Sequence, residues 1–168
     1  NVYGTALLGA VAGWFFIVMG AVFSMYTGQE ARAILPPLER AVTVGMILLL
    51  LWAFLTADTQ PDGNTASLVL LGLVAATALG YIFTGVQWVD ASTGTDFNLS
   101  TYGLVWTFVQ AVVALGGVVL ITVAFRRALD APLKLLFMLI LLAGYGGTLW
   151  QMGTGRIIGD YSGLGRMA

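Results

Sequence analysis

The chain alternates between long apolar stretches and short polar connections. Each of the five stretches is close to the roughly 20 residues that a helix needs to cross a bilayer core. A helix also satisfies its own backbone hydrogen bonds in lipid. The pattern predicts an all-α integral membrane helical bundle of about five transmembrane helices over residues 1–152, then a Gly-rich interfacial tail over 153–168. The predicted spans are Val2 to Tyr26, Ala41 to Ala57, Ser67 to Val89, Tyr102 to Phe125 and Leu133 to Met152.

Four short connections separate these stretches, and each is too short to hold a soluble domain. Turn-forming residues mark them, as in the segment from Gln60 to Asn64. The second span is the shortest, because Arg40 and Asp58 flank it. The predicted connections are Thr27 to Arg40, Asp58 to Ala66, Asp90 to Thr101 and Arg126 to Pro132.

The basic residues give a weak preference for orientation. Arg32 and Arg40 follow the first stretch and no basic residue precedes it, which favours an N-terminus outside and a C-terminus in the cytoplasm. Over the whole chain, this orientation puts four basic residues inside (Arg32, Arg40, Arg156, Arg166) and three outside (Arg126, Arg127, Lys134). A four-span alternative, in which Ser67 to Val89 is re-entrant, separates the charges better but leaves a long apolar run that does not cross the membrane.

Composition supports a membrane protein and excludes several other classes. Hydrophobic residues make up 59% of the chain and charged residues 9%, with a mean hydropathy of +0.93, whereas ordinary soluble domains are about one-quarter charged. The net charge of -1 offers no basic surface for nucleic acid. We therefore expect a multi-pass protein of the cell inner (plasma) membrane whose surroundings are the lipid bilayer.

The chain contains neither histidine nor cysteine. Zinc sites, haem ligation and histidine-based acid–base catalysis normally need these side chains. The carboxylates Asp58, Asp90, Asp130 and Asp160 fall in connections or at helix ends, and no ionisable residue is predicted in the middle of a span. We therefore expect no enzyme activity, no metal site, no cofactor and no transporter that acts alone.

Each stretch contains one tryptophan, and most of these lie near a predicted helix end. Trp88 and Trp106 bracket one connection, while Trp52 and Trp150 lie close to the ends of their spans; Trp14 is the fifth. Tryptophan is enriched where lipid meets water. Anchoring at that boundary is the simplest interpretation.

The polar residues inside the spans are amides and hydroxyls, which in lipid usually bond to a neighbouring helix or to their own backbone. If a small apolar molecule or a quinone binds, Trp106 and Gln110 are the first candidates, since they lie one turn apart on the same face. The other polar residues of this kind are Thr43, Thr77, Thr84, Thr107, Thr122 and Thr148, with Gln87 and Gln151 near helix ends.

Small residues recur at four-residue spacing, which allows helices to approach closely. The first span has Gly9 and Gly13, with Gly20 further along, and the third has Gly72, Ala76 and Gly80. The spacing indicates helix contacts without naming a partner.

Several short motifs resemble the multi-span N-terminal membrane (sensor) region of bacterial sensor histidine kinases of green filamentous bacteria. They follow one another along the chain: Leu35 to Arg40 (LPPLER), Trp52 to Phe54 (WAF), Asp96 to Asn98 (DFN) followed by Trp106, and Gly163 to Ala168 (GLGRMA). The resemblance implies a sensory or anchoring membrane module whose C-terminus leads into a cytoplasmic linker. The first connection is predicted to be too short for the helix that this resemblance implies there.

Two functions remain open from the sequence. One is a non-catalytic module for sensing or anchoring in the membrane. The other is an accessory structural subunit of a multi-subunit respiratory or photosynthetic complex, and a component of a small-molecule transporter ranks third. All three imply contacts with other membrane subunits or self-association.

Overall fold

The computed structural model describes residues 2–28, 31–56, 63–124 and 130–155. Across these residues there are five long α-helices, one 3₁₀ helix and no strand, so the all-α prediction is confirmed. All five α-helices are long and apolar enough to cross a membrane. They are α1 (Val2–Thr27), α2 (Ala31–Thr56), α3 (Gly63–Ala91), α4 (Thr101–Ala124) and α5 (Ala131–Gly153), and the 3₁₀ helix is Phe97–Leu99.

The chain divides into two compact units, an N-terminal unit that ends at Thr95 and a C-terminal unit that begins at Asp96. In the N-terminal unit, α2 packs against both α1 and α3. In the C-terminal unit, α4 packs against α5, and the 3₁₀ helix packs against α4. The elements of each unit are consecutive in the chain, as expected for helices joined by short connections.

The second helix begins at Ala31 and not at Ala41, so the predicted connection Thr27 to Arg40 is wrong. Pro36 and Pro37 suggested a loop, but both lie inside α2. Proline removes one intrahelical hydrogen bond, and membrane helices tolerate this where neighbouring groups compensate. Consequently Glu39 and Arg40 belong to the helix.

The third stretch is one continuous helix, Gly63–Ala91. A re-entrant segment has to reverse direction inside the membrane, so the four-span alternative is wrong for this stretch. The predicted bounds of the first, fourth and fifth spans lie within two residues of the observed helix ends. Most of the predicted tail, from residue 156 onwards, lies outside the described residues, as do Asp58, Arg126 and Arg127.

A folded cap precedes α4 and uses the motif Asp96 to Asn98. The Asp96 carboxylate accepts a hydrogen bond from the backbone N–H of Asn98 at 3.1 Å. Ser100 caps α4, because its Oγ accepts from the Gly103 N–H at 3.1 Å and donates to the Phe97 carbonyl at 2.6 Å. A serine in this position is a strong N-cap. The motif therefore has a structural role at the start of α4.

Glycine allows this cap to pack on α4. A Cβ atom at Gly103 would collide with the carbonyl oxygen of Phe97 and lie 3.1 Å from the Cα of Asn98. Both obstacles are backbone atoms, which cannot rotate away as a side chain can. Only a residue without Cβ fits here.

Glycines also set the contact between α1 and α2. Cβ atoms built at Gly9, Gly13 and Gly20 would lie 2.5, 2.8 and 2.5 Å from the side chains of Leu49, Val42 and Leu38, respectively. The small-residue pattern of α1 is thus a packing surface. Gly72 of α3 has no described atom within 4 Å of such a Cβ, so it makes no comparable contact.

The tryptophans do not all act as lipid anchors. Trp88 and Trp106 are buried within the protein, so the interfacial interpretation is wrong for these two. Trp52 donates its indole N–H to Oγ of Ser67 at 3.3 Å and thereby joins α2 to α3. Trp14 and Trp150 remain exposed.

Candidate ligand-binding sites

Trp106 and Gln110 lie on the face of α4 that is buried in the protein. Trp106 is 5% exposed and Gln110 is 1% exposed. The structure therefore brings the two predicted residues onto one buried face, as their spacing indicates. Both take part in interactions within the described structure. Burial with satisfied contacts is what a packing role requires.

The threonine hydroxyls inside the spans share one hydrogen-bonding pattern. Each of the six threonines singled out from the sequence donates to the carbonyl oxygen four residues earlier in its own helix. These bonds join Thr43 to Glu39, Thr77 to Leu73, Thr84 to Gly80, Thr107 to Gly103, Thr122 to Val118 and Thr148 to Gly144, at 2.7 to 2.9 Å. Of the two partners that the sequence left open, a neighbouring helix or the residue's own backbone, all six threonines use the backbone.

The side-chain amide of Gln151, in the C-terminal unit, has a buried oxygen without a hydrogen-bond partner among the described residues. This oxygen, Oε1, belongs to the last turn of α5. Such an acceptor costs free energy unless a donor reaches it. Gln151 is the exception to the otherwise satisfied polar side chains of α4 and α5.

Lys134 lies one turn inside α5 and is buried, with its Nζ 2.8 Å from Oδ2 of Asp130. The hydrogen bond from Lys134 lowers the pKa of the Asp130 carboxyl, although partial desolvation opposes it. Residues spaced like Lys134, Met138 and Leu141 lie on one helix face, and all three are buried. Lys134 thus belongs to the packed face of α5 at the start of the helix.

A groove of about 210 Å³ lies between α2 and α3 in the N-terminal unit. Six of its seven lining residues are apolar, and Tyr81 alone carries a polar side chain. The lining consists of Ala33 and Pro37 on α2 and Tyr81, Ile82, Gly85, Val86 and Val89 on α3. Ile82 and Val86 are exposed, so the groove opens towards the surroundings of the helices.

The contacts between α1 and α2 show the depth of Arg40 in this unit. Gly13 of α1 faces Val42, and Gly20 faces Leu38. Arg40 lies between Leu38 and Val42, so it is level with the segment of α1 between Gly13 and Gly20. That segment is in the middle of the candidate span Tyr3–Thr27.

The contacts between α2 and α3 give the same depth. At one end Trp52 bonds to Ser67, and towards the other end Pro37 and Tyr81 line the same groove. Arg40 is one turn further from that end than Pro37, so it is level with α3 just before Tyr81. This position is near the middle of the candidate span Thr65–Ala91.

Glu39 and Arg40 therefore lie inside the candidate span Ala33–Thr56, as the seventh and eighth of its 24 residues, whereas the sequence pattern placed Arg40 in the connection before it. On insertion scales a charged residue at the bilayer centre costs about 3 kcal/mol. Glu39 is exposed and Arg40 is half-buried. Arg40 shares a helix face with Val44 and Ile47, which are both buried, since the spacing i, i+4, i+7 is that of one face.

Sequence reasoning missed this position because a charge next to two prolines resembles a loop. A signal was present in the spacing. Ala33, Pro37, Arg40, Val44, Ile47 and Leu51 recur at helical intervals that run without interruption from before the prolines to the end of the span. The earlier start of α2 also changes the count of basic residues on the two sides of the membrane. Arg40 now lies within the helix, so three basic residues remain on each side.

Metal-ligating side chains do not cluster within residues 2–28, 31–56, 63–124 and 130–155. Asp90 lies near the end of α3 and Asp130 just before α5, as expected from the sequence. Asp160 lies outside the described segments.

No family model, no curated protein and no solved structure matches this chain.

Proposed function

We propose that this protein is a non-catalytic integral membrane module that senses a signal in the bilayer and transmits it through its helices. The observation that carries the proposal is Arg40, a basic residue inside the candidate membrane span Ala33–Thr56 and on the same helix face as buried residues. Intramembrane charges are costly, so they usually mark a functional site. The motif-level resemblance to the membrane region of bacterial sensor histidine kinases supports the same function in a bacterial plasma membrane.

The outer helices of the N-terminal unit support a module surrounded by lipid. In the most apolar stretches of α1 and α3 no residue is buried, whereas a third or more are buried in those of α2, α4 and α5. Large side chains such as Leu8 and Phe15 of α1 and Phe83 of α3 project outwards. A surface that is apolar on all sides suits contact with acyl chains.

The same exposed faces favour one second candidate, an accessory subunit of a multi-subunit respiratory or photosynthetic complex. Other membrane subunits would then cover α1 and α3, and small residues such as Gly72, which contacts no described side chain, would allow close approach. This candidate predicts stoichiometric co-purification with cofactor-bearing subunits in mild detergent.

Distance measurements between spin labels test the sensing proposal. The chain has no cysteine, so single cysteines can be introduced without a background. One label at Leu8→Cys on α1 and one at Leu133→Cys on α5 report on the two units, since both positions are exposed. The matched control pair, Leu8→Cys with Leu71→Cys, lies within the N-terminal unit.

A sensor predicts a shift of about 2 Å in the distance between α1 and α5 when bilayer thickness or lipid extract is changed. The control pair is expected to stay fixed, because α2 packs against both α1 and α3. If the distance were unchanged in every bilayer and haem- or chlorophyll-bearing subunits co-purified, the sensing proposal would be wrong and the accessory-subunit proposal would take its place.

A further inference from the structure

Glu39 is the one exposed side chain among those described in α2. Every other side chain from Ala33 to Thr56 is buried or half-buried, because α1 and α3 pack against this helix. The two outer helices show the opposite pattern, since many of their exposed side chains are large and apolar, such as Phe15 of α1 and Leu71 of α3. A carboxyl group is therefore the feature by which α2 meets the surroundings of the N-terminal unit.

Two helices give the depth of Glu39 within the span. Glu39 is six residues beyond Ala33, where the candidate span of α2 begins, which is about 9 Å at 1.5 Å per residue. Beside it, Gly20 of α1 faces Leu38, and the candidate span of α1 continues for seven more residues to Thr27, about 10 Å in the same direction. A span of 24 residues is about 36 Å long, whereas the hydrocarbon core is about 30 Å thick. A centred span therefore holds Glu39 about 6 Å inside the hydrocarbon.

An outward-facing carboxyl group at this depth is unusual. Ionisable side chains within membrane spans almost always face the interior of the bundle and pair with another group there, because lipid does not solvate them. The side-chain carboxylate of Glu39 has no ion pair or hydrogen bond with a described residue. The hydrogen bond that Glu39 does accept, from the hydroxyl of Thr43, goes to its backbone carbonyl. The carboxylate therefore requires a cation from outside the N-terminal unit.

The described cations of this chain do not supply that partner. Arg40 is half-buried and shares its helix face with the buried Val44, and Lys134 is buried and bonded to Asp130. Neither lies on an exposed face at the depth of Glu39. An isologous contact between two copies through this face would bring the two Glu39 carboxylates together, which is a repulsion of like charges. Charge complementarity therefore favours a different membrane protein over a second copy.

We propose that the exposed face of α2 at Glu39 docks one transmembrane helix of another membrane protein, and that this helix carries a lysine or arginine at the depth of Glu39. The cation donates a charge-assisted hydrogen bond to the Glu39 carboxylate, which is about twice as strong as a bond between neutral groups. The long side chain of a lysine or arginine can reach the carboxylate from a backbone position one turn away. The proposal goes beyond the sensing function and does not depend on it.

The test measures association of the full chain with synthetic transmembrane peptides in phosphatidylcholine liposomes. The probe is a polyleucine helix with a single lysine about 10 Å from one end, and the control peptide has leucine at that position. The chain has no cysteine, so a fluorescence donor can be attached at Leu8→Cys, an exposed position on α1, and the peptides carry the acceptor. We expect saturable energy transfer with the lysine peptide, at an affinity about tenfold or more above that of the leucine peptide.

Substitutions in the chain locate the contact. Glu39→Gln keeps the size of the side chain but removes the charge, so it should weaken association with the lysine peptide by about tenfold or more. Glu39→Asp keeps the charge and should retain more of the association. The matched control is Asp90→Asn, which removes an exposed carboxylate near the end of α3 and should leave the association unchanged. Circular dichroism verifies that each variant keeps its helices.

Several outcomes would overturn the proposal. Equal association of the two peptides, no saturation with the lysine peptide, or wild-type affinity in Glu39→Gln would show that the charge does not select the partner. Energy transfer between two labelled copies of the chain that is lost in Glu39→Gln would identify a second copy as the occupant. If phosphatidylethanolamine, whose head group carries an ammonium, displaced the lysine peptide from the wild-type chain, the occupant would be a lipid. The spin-label response to bilayer thickness is measured without peptides, so sensing can stand if docking fails.

Discussion

The two units place polar groups inside the membrane in different ways. In the C-terminal unit Thr107 and Thr148 donate to carbonyls of their own helices, and Lys134 is paired with Asp130. In the N-terminal unit Thr43, Thr77 and Thr84 also donate to their own helices, and α2 in addition carries two ionisable residues inside its candidate span, Glu39 and Arg40.

The difference is between hydroxyls that are bonded within one helix and charged side chains inside a span. Hydroxyls that donate to a carbonyl of their own helix cost little free energy inside the membrane, because the hydrogen bond is made locally. A charged side chain inside a span costs more free energy than a hydroxyl does, and it usually marks a functional site. Both units are therefore expected to respond in their stability to mutation of their packing contacts, whereas two adjacent charged residues inside a span are, among the described helices, a feature of α2.

The largest effect on stability is expected for Gly103→Ala in the C-terminal unit. The new Cβ would collide with the backbone of Phe97 and Asn98, and overpacking against backbone should lower the free energy of unfolding by about 3 kcal/mol. Unfolding in sodium dodecyl sulfate, followed by circular dichroism, measures it. The control Gly116→Ala has no described atom within 4 Å and should be neutral or stabilising; equal losses in both variants would show that the cap does not limit this unit.

The second-largest loss of stability is expected for Gly20→Val in the N-terminal unit. Gly20 lies against the side chains of Leu38 and Leu35, so a β-branched side chain should separate α1 from α2 at a cost of about 2 kcal/mol. The same unfolding assay applies. Gly72→Val is the matched variant on the exposed face of α3 and should change stability by less than about 0.5 kcal/mol. A larger loss for Gly72→Val would mean that α3 has a packing partner in the membrane.

Ser100→Ala removes the cap of α4 and should cost about 1 kcal/mol. The hydroxyl both accepts from Gly103 and donates to Phe97, so hydrogen exchange of the Gly103 and Leu104 amides should accelerate. Thr101→Ala, at the exposed neighbouring position, is the control. Unchanged exchange in Ser100→Ala would show that the 3₁₀ helix holds the start of α4 by itself.

The smallest effect on stability is expected for Gln110→Leu, which tests whether this buried amide serves packing. Polar contacts between membrane helices average about 0.6 kcal/mol, so the change in stability should be modest and of either sign. A packing role predicts that this substitution does not affect the binding of a quinone or another apolar molecule. If Gln110→Leu instead abolished binding while stability was kept, the face of Trp106 and Gln110 would be the ligand site.

Sequence alone was sufficient for the helices and for local chemistry. Long apolar runs must become helices in lipid, because no other partner exists for their backbone groups. Four of the five spans were located closely for that reason. The i, i+4 spacing also placed Trp106 and Gln110 on one face, and the threonine bonds were predictable because they are internal to one helix.

Tertiary structure decided which residues lie at which depth. Arg40 closely follows Pro36 and Pro37, and the turn-forming prolines led us to place it in a connection from the sequence. Its depth follows from the helices beside it, through Gly13 and Gly20 on α1 and Trp52 with Ser67 between α2 and α3. Burial of Trp88 and Trp106 was likewise invisible in the sequence. A residue's environment is set by contacts between helices, and local composition does not encode the register of those contacts.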